Sequence, residues 1–61
     1  MKKYIFSFVA EVRGEKVMRD IVESVSVCED LMAIKERHAM ALEIEFGRAF
    51  RCMEIREMCD G

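Results

Sequence analysis

"EKVMRDIVESVSV", Glu15 to Val27, is the stretch whose reading decides the fold. Its apolar residues Val17, Met18, Ile21, Val22 and Val25 fit one stripe of a helix, and they fit the two faces of a strand equally well. Most of them are β-branched, a type that packs well on a pleated surface. The preceding segment supplies a second reason. From Tyr4 to Val12 the even positions are Tyr4, Phe6, Phe8, Ala10 and Val12, whereas the odd ones mix Ile5 and Val9 with Ser7 and Glu11. This aromatic, period-two pattern predicts a strand. A lone strand needs a neighbour, and Gly14 in "VRGEKV" is where a hairpin turns back. Residues 15–25 are therefore read as the second strand.

If Arg13-Gly14, or a four-residue loop around it, forms the turn, Glu11 faces Lys16, Val9 faces Met18, Phe6 faces Ile21 and Ile5 faces Val22. A Gly14-Glu15 loop shifts the register by two and keeps the same faces. Either way the even residues of the first strand share a face with Val17, Ile21 and Val25.

Ser26-Val27-Cys28-Glu29 has the S-x-x-E form of a capping box, with Glu29 and Asp30 also favourable near a helix N-terminus. A helix is expected to begin there and to run to about Glu45, with Gly47 as its stop. Its apolar stripe is Val27, Leu31, Ile34 and His38, with Ala41 or Leu42 beyond; Asp30, Lys35, Glu36 and Arg37 fall on the wet side. In "RAFRCMEIREM", Ala49, Arg51, Met53 and Ile55 alternate as a third strand, while Phe46, Ala49, Phe50 and Met53 are spaced as in a helix. The strand reading gives one small α+β domain over residues 1–61, of order ββαβ. The alternative is a chain almost wholly helical from Val27 to Met58.

A chain of 61 residues buries only about 60% of the surface its unfolded form exposes, so its core is thin. At 52% hydrophobic residues and no proline it is too apolar for disorder, and charges interrupt it too often for a membrane span. The "MKKYIFSFVAEV" start has the basic opening of a signal peptide, but Glu11 and Arg13 cut the apolar run short. Three cysteines, Cys28, Cys52 and Cys59, are an odd number without CxxC spacing, which points to reduced thiols and the cytoplasm. Ten basic and twelve acidic residues are interspersed, giving a net charge of −2 and no phosphate-tracking surface, so nucleic acid is not an expected partner.

Chemistry is sparsely signalled. His38 and the cysteines supply metal-ligand types, but the intervals from Cys28 to His38 and on to Cys52 match no zinc module, and they are read as packing residues. A Cys-His nucleophile lacks an orienting third group and a glycine-rich oxyanion loop. Paired carboxylates such as Glu43 and Glu45, or Glu54 and Glu57, read as solvated faces. The isolated glycines form no phosphate loop. No enzyme activity, metal or cofactor is expected. Met18, Met32, Met40, Met53 and Met58 are a marked excess and are read first as filling a small core, although methionine also adapts to binding surfaces.

The hairpin is apolar on both faces. One, with Phe6, Phe8, Ile21 and Val25, can be covered by the helix. The other, with Ile5, Val9, Met18 and Val22, has no remaining element to cover it, and an exposed apolar patch marks association. The expected partner is a larger protein or protein complex, with Arg19, Asp20 and Glu23 orienting it; a homodimer of stacked sheets is the alternative. The order of elements, a hairpin, a helix opening "SVCEDLMAI" and a strand "RCMEIREM", resembles very small phage-encoded inhibitors. These include certain anti-CRISPR proteins and a short podoviral RNA-polymerase inhibitor. The resemblance is one of layout and length and implies a non-enzymatic inhibitor that occludes a surface; it carries no residue roles. A metal or redox site on the cysteines and His38 is the remaining alternative.

Overall fold

A computed structural model describes residues 2 to 58. The fold is α+β, with strands β1 (Lys2–Val12) and β2 (Glu15–Val25), helix α1 (Leu31–Phe46) and strand β3 (Arg51–Met58). The sheet is antiparallel throughout, in the order β2-β1-β3, so the aromatic strand lies at its centre. Residues 15–25 are a strand, as the β-branched content indicated, and the wholly helical alternative for the C-terminal half is excluded by β3.

The hairpin register pairs Phe6 with Ile21, Val9 with Met18 and Glu11 with Lys16, which makes Arg13-Gly14 the two-residue loop. Both loop residues have positive φ, 54° at Arg13 and 80° at Gly14, the pair of signs that matches the twist of the flanking strands. Glycine adopts this at no steric cost, whereas arginine bears a Cβ against the following carbonyl.

The helix starts later than the capping-box motif suggested. Ser26 and Glu29 do interact, the Ser26 amide donating to Glu29 Oε1 at 3.2 Å and the Glu29 amide to the Ser26 carbonyl at 3.1 Å. These bonds close a turn between β2 and α1. Asp30 is the cap, its Oδ1 accepting from the Met32 amide at 3.0 Å. Val27 is therefore outside the helix and 92% exposed. Beyond it, Ile34 and Leu42 are buried, while Ala41 is exposed. Lys35, expected on the wet side, is half-buried. The helix ends at Phe46, with Gly47 left-handed at φ 70° and its amide donating to the Glu43 carbonyl at 2.7 Å.

Among the described residues, one face of the sheet is covered and the other is not. Phe6 and Phe8, both 0% exposed, form the centre of a core completed by Val25, Ile34, Leu42 and Phe50. Ile21, Cys52 and Ile55 pack around it. A bulge in β3 interrupts its pairing with β1, where Ser7 pairs with Glu54 and Phe8 with Cys52, leaving Met53 unopposed. Arg51 and Ile55, read from alternation as sharing a face, consequently point to opposite sides.

The Arg13 conformation gives a direct test of the hairpin. Arg13→Asn should stabilise the protein by about 0.5–1 kcal/mol in urea unfolding, because asparagine tolerates this backbone region better. An unchanged or lower midpoint would contradict the assigned turn.

Candidate protein-binding face

Cross-strand partners share a face, so the sheet register specifies the composition of the uncovered side. One row carries Val22, Ile5 and Arg56; the next carries Asp20, Ser7 and Glu54; the third carries Met18, Val9 and Arg51. Two apolar rows thus flank a central acidic row. Met18 and Val22 are 50% and 54% exposed, while Ile5 and Val9, on the central strand, are half-buried by their neighbours. The four apolar residues singled out in the sequence are together on this face.

The three charged residues grouped with them divide. Asp20 lies on the open face, opposite Ser7. Arg19 and Glu23 lie on the helix side, because β2 alternates. The Arg19 guanidinium sits 5.0 Å from the centroid of the Phe46 ring, a cation–π contact between the edge strand and the end of α1. Glu23 accepts from Arg37 Nη2 at 2.9 Å and contacts the His38 ring nitrogen. These two charges tie the helix to the sheet. The charges that border the open face besides Asp20 are Arg51, Glu54 and Arg56, with Arg56 Nε 3.2 Å from Glu54 Oε2. The bulge at Met53 hides Arg51 from an alternation reading, whereas Glu54 and Arg56 already fall opposite Ile55 by parity and were passed over as solvated charges.

His38, a quarter exposed at its side chain, packs with its ring centroid 6.1 Å from that of Phe6 and is held by Glu23. Cys28 is exposed, and the half-buried Cys52 thiol points to the Glu54 carbonyl at 3.6 Å. Cys59 lies outside the described residues. Among the described residues, no three of His, Cys, Asp and Glu gather as metal ligands. Nor, among them, is any helix long and apolar enough to cross a membrane. At the hairpin end, Val9, Gly14, Lys16 and Arg51 line an open depression of about 420 Å³ that adjoins the third row.

The chain matches no protein-family model, no curated protein and no solved structure.

The Glu23 contacts make part of the fold's stability depend on pH. The hydrogen bond to His38 lowers the Glu23 pKa below its ordinary value of 4.5; desolvation opposes the shift, and the charges of His38 and Arg37 add to it. A depressed carboxylate stabilises the fold fully above its unfolded pKa, and this is lost as pH falls through the folded value. Glu23→Gln should therefore flatten the decline of stability below about pH 5 while lowering stability at neutral pH. Parallel acid profiles of the two proteins would contradict the assignment.

Proposed function

We propose that this chain is a non-enzymatic protein-binding module, without a cofactor, that occludes a surface of a larger protein or protein complex in the cytoplasm. Inhibition or modulation of that complex is the accompanying role, as in the small phage-encoded inhibitors whose layout it resembles. The observation that carries this reading is the uncovered sheet face, where Met18 and Val22 remain about half exposed beside Ile5 and Val9. Apolar surface gathered on one flat face, with charges around it, has the composition of an interface. The unpaired thiols of Cys28 and Cys52 accord with a reducing compartment.

The acidic central row favours a foreign partner over a second copy stacked on the same face. Two copies stacked with their strands aligned, about a two-fold axis over Ser7, meet in one of two ways. With the axis along the strands, Asp20 of one copy lies over Glu54 of the other. With the axis across the strands, Asp20 lies over Asp20 and Glu54 over Glu54. Like charges meet in both cases, at a desolvating interface where repulsion is costly. A partner with an apolar patch and a basic side chain for Asp20 meets no such penalty.

Val9→Lys combined with Met18→Glu places an opposite-charge pair across the hairpin, so the strands remain compatible while the face becomes polar. A partner captured from bacterial lysate by the wild-type protein should bind the double variant about a hundredfold more weakly, with the circular-dichroism spectrum preserved. Undiminished binding by the folded variant would refute the reading, and loss of the fold would assign both residues to internal packing.

A further inference from the structure

The sheet has two free edges, and they differ. The outer edge of β3 is broken by the bulge at Met53, a common way of preventing pairing with another chain. β2 pairs with β1 without interruption from Glu15 to Val25, leaving an eleven-residue edge. α1 packs mainly over β1 and β3 and meets β2 only through side chains, Phe46 against Arg19 and Arg37 and His38 against Glu23, so the carboxylate and guanidinium that the edge offers are already held on the helix side.

Hairpin geometry determines which backbone groups this edge offers. In a hairpin closed by two residues, the pair flanking the loop, here Val12 and Glu15, exchanges hydrogen bonds, and bonded and non-bonded pairs then alternate. The odd residues of β2 are thus bonded to β1. The amides and carbonyls of Lys16, Met18, Asp20, Val22 and Ser24 point outward, the Met18 carbonyl accepting from Arg19 Nη1 at 3.0 Å, a bond that edge pairing would replace.

The side chains then select a partner. A second β2 placed antiparallel against the first must align residues of one face, which restricts the two-fold axis to passing through a residue paired with itself. Centred on Asp20, the pairing sets Asp20 against Asp20; centred on Arg19, it sets Arg19 against Arg19. Centred on Ile21, it sets Ile21 against Ile21, Val17 against Val25, and Arg19 against Glu23, the last two pairs occurring twice. On the other face Asp20 then lies beside Val22 and Met18 beside Ser24. Centring on Met18 also joins Lys16 to Asp20 but overlaps only Glu15 to Ile21; of the longer registers, those centred on Arg19, Asp20 and Ile21, the last alone turns the edge charges from repulsive to complementary.

We infer that β2 is a homodimerisation edge, joining two copies antiparallel about Ile21 into a six-stranded sheet of order β3-β1-β2-β2-β1-β3. Both helices lie on one side of that sheet. The open faces join on the other side into one surface of twice the area. The dimer does not depend on the function proposed above, because it leaves the open face unoccupied.

Two measurements test this. In the wild-type protein, sedimentation should show a concentration-dependent dimer, and the amides of Met18, Asp20, Val22 and Ser24 should exchange more slowly with deuterium as concentration rises. A monomer at all concentrations, or a dimer in which these amides stay unprotected, would overturn the inference. Charge reversal tests the register. Arg19→Glu and Glu23→Arg should each weaken self-association by about tenfold or more, since both mirror-related pairs become repulsive. Mixed in equal amounts, the two variants should form a heterodimer, because both pairs between positions 19 and 23 are then complementary again, one with its native sign and one reversed. Two folded variants that mix without associating would refute the Ile21-centred register. Should Glu23→Arg fail to fold for want of its His38 contact, amide exchange in the wild-type protein decides.

Discussion

Burial of Phe6 and Phe8 on the central strand is the constraint from which the remaining structure follows. A strand sends alternate side chains to opposite faces, so two fully buried phenylalanines two residues apart commit one entire face to the interior. Rings of this size supply much of the apolar burial available to a small chain. With one helix among the described residues to cover them, α1 must cross above β1 and present Ile34 and Leu42 downward. Phe50, at the approach to β3, closes the end of the layer against Phe46, with ring centroids 5.1 Å apart.

The same constraint leaves the opposite face unused by the fold. Its residues are not a random surface: two mainly apolar rows flank Asp20, Ser7 and Glu54, and the charges that would have dispersed the patch, Arg19 and Glu23, are turned to the helix side. There Arg19 rests on Phe46, and Glu23 holds Arg37 and His38. One face is thus closed by a layer of helix with charged ties at its margin, while the other keeps its apolar side chains in water.

The hairpin was legible in the sequence because its signals were local and agreed. Alternation from Tyr4 to Val12, the β-branched residues of β2 and Gly14 all implied the register found, including the pairing of Glu11 with Lys16. The α+β order was legible for the same reason. The helix start was not, since Ser26, Glu29 and Asp30 all carry capping side chains and only the path of the chain out of β2 selects Asp30. The face assignment of β3 was hidden by a bulge that no residue type announces. Arg19 and Glu23 were grouped with the open-face residues because their charge suggested a rim, although strand parity already separated them from Met18 and Val22. The aromatic and histidine partners that hold them there come from a distant part of the chain.

The division of the sheet into a closed face and an open one can be measured directly. In dilute wild-type protein, a soluble paramagnetic probe should broaden the methyl resonances of Met18 and Val22 strongly while sparing those of Val25, Ile34 and Leu42. Equal protection of both sets would show that the face is covered within a single chain, and would contradict the account.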